Sequence, residues 1–444
     1  MEQSKQNIFE CGGGPTTQGV GETSVEKLSH CTVVDGIVPH FNYMDPIEVE
    51  AAMVHNLPDR CIPLNGLSHE PYEFIIDTMA DYFTDLASLF MYVRYKIVDE
   101  AGNDLTAEDG QLNIVDNLLN ALWDKVSVKV NDVVTHPESA RLQAYRAQME
   151  YLLSIEKGIN TCYGVAGFGM SDSDRKNDLK GKQKGEMDLC GPIALDILRT
   201  KNFLAPGHKL SLTFYKAEDK FLLIHPTPTK YKIVITDIFL EVNRIRLMPE
   251  VMREIISRGP QNYKMSHTEL RDFPLTAGIS SWNIKVHAGG VLPHQVVVGM
   301  VDTAAMTGNY QRDPLKFENN DLNHICLRVN GVRSPQDPLT PDFAKNRYSR
   351  IFLHVYQNTG KMRQNGGNYI TKETFKTKHC LIPFDLTPDK CNNRHLHAGL
   401  NGSLDVELAW ANPLSKNITV VILSVFNQVL QLEESGAPPV LAVF

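Results

Sequence analysis

The chain has 444 residues, of which 42% are hydrophobic and 22% charged, with a mean hydropathy of -0.23. That composition excludes a wholly disordered chain and a conventional multi-span membrane protein, and the length allows about two to four domains. Its 44 basic and 52 acidic side chains leave a net charge of -8, which argues against a dominant phosphate-binding surface and against nucleic acid as the direct partner.

Met1 to Glu10 is polar and lacks the apolar stretch of a signal peptide, and no segment offers about 18 uninterrupted apolar residues, so neither secretion nor a membrane span is expected. The eight cysteines (Cys11, Cys31, Cys61, Cys162, Cys190, Cys326, Cys380 and Cys391) contain no CxxC pair and read as free thiols in a reducing compartment. Residues 1–60 are rich in Gly and Thr, with only Lys5, Lys27 and Arg60 as bases, and predict an extended arm.

From Tyr72 onward, short apolar runs alternate with Gly, Pro, Asn and Asp. In Lys125 to Val130, Val126, Val128 and Val130 share one face and Lys125, Ser127 and Lys129 the other, which is the period of a half-buried strand. Met91, Val93, Tyr95 and Ile97 repeat the pattern before a turn at Asp99 to Asn103; further strands are expected at Lys209 to Tyr215, Phe221 to Ile224 and Tyr231 to Leu247. A helix is predicted over His136 to Ser154, opened by Pro137 and carrying Leu142, Tyr145, Met149 and Leu152 or Leu153 at helical spacing. A second, Pro249 to Arg258, should bury Met252, Ile255 and Ile256 and stop at Gly259-Pro260. Strands then resume at Trp282 to Val286, Gln295 to Val301, His324 to Val329, Cys380 to Phe384, Ser403 to Trp410 and Ile418 to Phe426.

The pattern predicts an all-β chain of two consecutive eight-stranded jelly rolls with a few short helices in loops. Each half exceeds an immunoglobulin unit, and no residue-level repeat links the two. The expected organisation is an arm over 1–60, a first roll over 61–247, a linker helix over 248–265, a second roll over 266–432 and a tail over 433–444. The apolar end of that tail is expected to be disordered or to dock on a neighbour.

Cys391-x3-His395-x-His397, with His379 and Cys380 upstream, holds zinc-type donors, but its spacing fits no closed four-ligand pattern and the stretch reads as a polar loop. His395 and His397 also imitate the metal pair of a cupin, but Glu407 is too far along the chain and falls on the polar face of its strand. Asp172-x-Asp174 with Asn177 and Asp178 lacks the glycine and glutamate of a calcium loop. Arg175, Lys176, Lys180, Lys182 and Lys184 around Gly181 and Gly185 read as a flexible charged loop, and Gly181-Lys182-Gln183 fails the Walker pattern. Gly164, Gly167 and Gly169 miss dinucleotide-binding spacing. No GxSxG or HExxH occurs, and Asp385 and Asp389 lie where aspartates cap turns. Asn417-Ile418-Thr419 matches a glycosylation sequon at the start of an expected buried strand. No catalytic, cofactor-binding or metal residue is assigned, and no cofactor is expected.

Several blocks together resemble the double jelly-roll major capsid proteins of adintoviruses and Polinton (Maverick) elements, within the wider adenovirus hexon-like lineage. In the first half these are Asp85-Leu86 through Tyr92 to Ile97, the helix carrying Pro137, Tyr145 and Glu150, and Ile235-Thr236-Asp237-Ile238-Phe239-Leu240. In the second they are Val298-Gly299-Met300-Val301-Asp302, Gly308-Asn309-Tyr310, and Asp313-Pro314-Leu315-Lys316-Phe317, where the family commonly has Asn-Pro-Phe-x-Phe, so Asp313 and Leu315 depart from it. Phe384 to Asp389 and Gly402 to Leu408 are similar to the family's closing strands, and the first 60 residues have no counterpart.

The resemblance implies a structural, non-enzymatic subunit. Three copies would form a pseudo-hexagonal capsomer in the icosahedral shell of a double-stranded DNA virus, with neighbouring capsomers, a pentameric vertex protein and minor capsid proteins as partners. It implies no sequence-specific nucleic acid binding, and a virion location after assembly in the nucleus. The competing expectations are a metal-dependent, cupin-like jelly-roll enzyme or carbohydrate-binding module, built on Cys391, His395 and His397, and a host gene that puts a capsid fold to another use.

Overall fold

Alternation of apolar and polar residues in long strands, rather than helix periodicity, dominates the architecture. The structure, a computed structural model, describes residues 53–67, 69–77, 79, 81–105, 111–136, 142–156, 163–181, 185–227, 230–257, 259–362, 367–390, 397, 399–433 and 438–443, with 136 and 177–181 as backbone only.

The first half contains β1 (Met53–Cys61), β2 (Tyr72–Asp77), β3 (Phe83–Asp99), β4 (Asn113–Ile114), β5 (Trp123–Val130), β6 (Val133–His136), β7 (Met187–Gly191), β8 (Lys209–Lys216), β9 (Leu223–Ile224) and β10 (Tyr231–Leu247). The second contains β11 (Gln261–Leu275), β12 (Ser281–His287), β13 (Gln295–Asp302), β14 (Leu322–Val329), β15 (Val332–Leu339), β16 (Leu381–Asp385), β17 (Leu404–Trp410), β18 (Ile418–Leu432) and β19 (Val440–Val443).

Two four-stranded sheets make each half: β1-β10-β3-β7 with β2-β8-β5-β6, then β11-β18-β13-β16 with β12-β17-β14-β15. Setting aside the small β4–β9 pair and β19, the strands of each half taken in chain order pair first-eighth-third-sixth and second-seventh-fourth-fifth. The two halves therefore share one topology, the jelly roll, although their sequences show no repeat. The all-β, double jelly-roll expectation holds. Pairing is antiparallel throughout the sheets, with long ladders from Tyr231↔Asp99 to Ile245↔Phe83 and from Gln261↔Leu432 to Leu275↔Ile418.

The alternation places side chains as read. Leu404, Val406 and Leu408 are buried while Asp405 and Glu407 lie half-buried on the opposite face of β17, and Met91, Val93, Tyr95 and Ile97 line the core side of β3. One hydrophobic cluster runs through both halves.

Several elements differ from expectation. Phe221-Leu222 end a short helix, Asp219–Leu222, because the Asp219 carboxylate accepts from Ile233 N at 3.0 Å and Lys216 Nζ at 2.9 Å and turns the chain there; only Leu223–Ile224 pair as a strand. The helix expected from His136 begins at Gln143, since Val133–His136 pair as β6. The charged segment read as a flexible loop is helical over Asp172–Gly181, and Arg175 is buried against Asp116. Two further helices, Ser349–Asn358 and Lys372–Thr377, stand where the sequence pattern predicts none. The second carries a capping box in which Thr371 Oγ1 accepts from Thr374 N at 3.2 Å and Thr374 Oγ1 accepts from Thr371 N at 2.9 Å.

The helix Pro249–Ser257 buries none of its residues: Met252 and Ile255 pack only partly on the small cluster Phe83, Ala205 and Ile245, and Ile256 is 46% exposed. It lies at the margin of the sheet, where too little apolar surface faces it to cover a full stripe. At the ends, β1 takes up residues 53–60 of the segment read as an arm, and β11 already begins at Gln261. The tail's Val440–Val443 does not hang free but pairs with Gln428–Gln431, the part of β18 that runs past the end of its β13 ladder. Open backbone groups there provide a partner for an extended apolar segment.

Candidate functional site

The most elaborated polar and aromatic packing lies on the seam between the two jelly rolls, and its centrepiece is the helix Gln143–Ser154. Every residue from Gln143 to Leu153 is buried, including the polar Gln143, Arg146, Gln148 and Glu150. A helix buried all round belongs inside a protein, and its polar groups need partners there. Gln143 Nε2 donates to Ala194 O at 2.9 Å, and Gln148 Nε2 to Asp116 Oδ2 at 2.9 Å.

Arg146 lies 2.6 Å from Asp196 Oδ1 and 3.2 Å from Glu150 Oε1, and Arg199 reaches Glu150 Oε2 at 2.5 Å. Asp196 then crosses to the second roll, accepting from Thr268 N at 3.0 Å and Thr268 Oγ1 at 2.8 Å on β11. Burial opposes the Arg146 charge, but the carboxylates of Asp196 and Glu150 outweigh it and hold its pKa above the ordinary arginine value. Such a cluster contributes less to net stability than to fixing one geometry, because its desolvation cost is recovered only when every partner is in place.

Three of the second-half blocks, Val298 to Asp302, Gly308 to Tyr310 and Asp313 to Phe317, collect along the same seam. Phe317 is fully buried with its ring centroid 6.3 Å from that of Tyr145. It rests on Gly299 of β13, where a Cβ would come within 2.8 Å of Phe317 Cδ1 and 2.9 Å of Leu381 Cδ2. Gly308, at φ 91°, faces the Lys220 side chain so closely that a Cβ would lie 2.6 Å from its Cγ. Tyr310 accepts from His225 N at 2.6 Å and donates through its hydroxyl to Tyr231 O at 3.3 Å. Gln311 Nε2 donates to Pro226 O at 2.8 Å. Asp313 Oδ1 accepts from Leu315 N at 3.0 Å, so the aspartate caps the turn there. Tyr369 closes the far side, its hydroxyl donating to Gly169 O at 2.7 Å and its N–H to Leu152 O at 3.2 Å. Lys378 pairs with Asp172 at 3.2 Å across the same junction.

A cavity of about 660 Å³ opens where Asp172 and His225 of the first half meet Asp302, Arg312 and Lys416 of the second. Several of its charges are paired with one another. Asp302 holds Arg312 and lies 3.0 Å from Lys416, which also reaches Glu318 at 2.5 Å. The arrangement locks surfaces together, and among the described residues around it no nucleophile, base and orienting group stand in sequence.

Of the sequence candidates for metal, Cys391 and His395 lie outside the described residues, so the cupin-like pair is not placed. His397 Nε2 lies 3.0 Å from Asp389 Oδ1. His379 and Cys380 sit instead at the bridge to Phe317, both buried. Burial pushes the Cys380 thiol up to about 12 and, with Lys378 adding to it, lowers His379 to about 4. Asp385 is a buried turn cap, accepting from Thr387 N at 2.9 Å and Thr387 Oγ1 at 2.6 Å. Asn417 is exposed at the entrance to β18 and accepts from Ala277 N at 2.9 Å.

Glu407 has different neighbours from those the cupin expectation gave it. On the outer face of β14 and β17 it faces His324 and Cys326, with Arg328 and Arg333 on its two oxygens. Among the described residues this is the one group of three His, Cys, Asp or Glu side chains close enough to share an ion. The sequence held a sign of it, since positions two apart on a strand share a face, but the register that sets Cys326 opposite Glu407 is tertiary.

No protein-family model matches the chain. An uncharacterized protein of Caenorhabditis elegans is 21% identical over 383 residues, which span 82% of this chain and 91% of that one. Among solved structures, a chain of the Sputnik virophage determined by cryo-EM aligns with a TM-score of 0.62 at 11% identity over 93% of both chains. The Faustovirus major capsid protein aligns at 0.60 and 9% identity, over 93% of this chain and 94% of that one. The PBCV-1 virus capsid in its quasi-atomic model aligns at 0.58 and 10% identity, over 90% and 99%. At these identities the likeness is one of fold, and it spans both jelly rolls together.

Proposed function

We propose that the chain is a structural major capsid protein, the repeating subunit of an icosahedral double-stranded DNA virus shell, and that it acts without catalysis. The observation that carries this reading is the side-by-side pair of jelly rolls with one shared topology, aligned over nine-tenths of the chain with viral capsid subunits. Three such chains around a threefold axis present six comparable sandwiches, so a closed ring can tile a hexagonal lattice. The buried seam supports that role, because a rigid angle between the rolls is what would make the six edges equivalent.

The blocks Val298 to Asp302, Gly308 to Tyr310 and Asp313 to Phe317 support assignment to the adintovirus and Polinton group, and the relative in an animal is consistent with a capsid gene carried in an animal genome. Partners in this reading are neighbouring copies, a pentameric vertex protein and minor capsid proteins, with assembly in the nucleus and the virion as destination. The net charge of -8 suits a shell that encloses DNA without gripping it. The test is sizing chromatography with light scattering on the full chain, followed by negative-stain imaging. Compact trimers and pseudo-hexagonal particles are expected; a monomer that persists across salt and pH overturns the proposal.

A further inference from the structure

The outer face of the sheet β12-β17-β14-β15 carries a cluster that the capsid reading does not use. His324 and Cys326 are two residues apart on β14 and share its outer side, where His324 is partly exposed and Cys326 is fully covered by its neighbours, while Ile325 and Leu327 point into the core. Cys326 is paired in register with Glu407 on β17, so all three donors project from two hydrogen-bonded strands rather than from a loop. A rigid origin of this kind is what a preformed metal site needs.

The spacing is that of a coordination shell. Cys326 Sγ lies 3.1 Å from Glu407 Oε2 and 3.8 Å from His324 Nε2, and His324 Nε2 lies 3.7 Å from the same carboxylate oxygen. Tetrahedral zinc, with bonds of about 2.3 Å to sulfur and about 2.0–2.1 Å to nitrogen and oxygen, sets its ligands about 3.3 to 3.6 Å apart. Shifts of about half an ångström convert the triangle seen here into that shell. The donor set of one thiol, one imidazole and one carboxylate selects zinc over hard cations such as calcium or magnesium.

We propose that His324, Cys326 and Glu407 bind one zinc ion, with solvent in the fourth position, and so staple β14 to β17 on the exterior of the second jelly roll. The Cys326 thiol now donates to Glu407; on coordination that S–H bond breaks, the proton leaves to solvent, and the sulfur binds as thiolate. Arg328 stays on Glu407 Oε1 and orients the carboxylate, as outer partners of metal ligands do. Arg333, 3.3 Å from Oε2 and 45% exposed, swings away into water to release the ligating oxygen. The site stands whether or not the chain forms capsomers.

The competition with Arg333 gives a test with a sign. The full chain is titrated with Zn²⁺ by calorimetry and with Co²⁺ by visible absorbance, beside its Cys326→Ser, His324→Asn, Cys391→Ser and Arg333→Gln variants. One ion per chain is expected, with the bands of tetrahedral cobalt and a thiolate-to-metal charge-transfer band. Binding is lost in Cys326→Ser and His324→Asn and kept in Cys391→Ser. Removing the neighbouring cation in Arg333→Gln tightens it about tenfold. His324→Asn lies at a half-exposed outer position and keeps the comparison open if Cys326→Ser does not fold. Zinc binding that survives Cys326→Ser or His324→Asn, the absence of stoichiometric binding to the parent chain, or an Arg333→Gln variant no tighter than the parent overturns the proposal.

Discussion

Gly299 beneath Phe317 offers a mutation whose sign reverses with its background. A Cβ at Gly299 would meet Phe317 Cδ1 at 2.8 Å and Leu381 Cδ2 at 2.9 Å, whereas carbon atoms pack at about 3.5–4.0 Å. Both neighbours must retreat by more than half an ångström, in a core where Phe317 and Leu381 are fully buried. Overpacking of this kind costs about 1–3 kcal/mol. The strand gains about 0.5–1 kcal/mol from the lost freedom of glycine in the unfolded chain, so Gly299→Ala should destabilise by about 1–2 kcal/mol. In a Phe317→Leu background, itself weakened by the lost ring contacts, the ring collision is removed and the space the ring leaves lets the Leu381 Cδ2 methyl turn aside, so that only the entropic gain remains. There Gly299→Ala should be neutral or stabilising, a coupling of about 2 kcal/mol between two residues in contact. Urea denaturation followed by fluorescence, with the midpoint compared at constant slope, measures all four corners of the cycle. Equal destabilisation by Gly299→Ala in both backgrounds would refute the reasoning.

Arg146→Met removes the guanidinium 2.6 Å from the buried Asp196 carboxylate, and a loss of about 3–5 kcal/mol in chemical denaturation is expected; a loss under 1 kcal/mol would show the cluster to be hydrated. His354 and His379 are buried and held at about 4, below the unfolded value of 6.5, by burial first and neighbouring lysines second. The unfolded chain therefore takes up protons that the folded chain refuses. Stability should be full above pH 6.5 and fall by roughly 3 kcal/mol per histidine as the pH drops to about 4. A His354→Gln/His379→Gln variant whose stability keeps the same slope over that range would disprove the assignment. Deleting residues 434–444 reopens the β18 edge at Gln428–Gln431, so light scattering at high concentration should show more self-association than in the full chain; unchanged scattering would count against the role given to β19.

Reading the sequence recovered what depends on nearest neighbours. Val126, Val128 and Val130, or Leu404, Val406 and Leu408, reveal strand and inward face because the side-chain period of a strand is two and one face must avoid water. Enough such runs, with turn residues between them, specify two sandwiches, and the resemblance blocks specify which kind. The helix Asp172–Gly181 was hidden because its charges mimic a loop; its Arg175 is ordered by Asp116, a partner 59 residues away. Pro249–Ser257 failed in the opposite sense, since an amphipathic stripe is visible in sequence while the surface available to cover it is not.

Length, composition and charge by themselves excluded a wholly disordered chain and a conventional multi-span membrane protein, and local alternation marked most of the strands. Tertiary structure alone decided that both halves share one strand order, that Gln143–Ser154 wedges between them with Arg146 tied through Asp196 to Thr268, and that Cys326 stands opposite Glu407. Those relations join residues tens to hundreds of positions apart, and their register is set by which apolar faces can be buried together, a quantity that belongs to the whole chain and to no window of it.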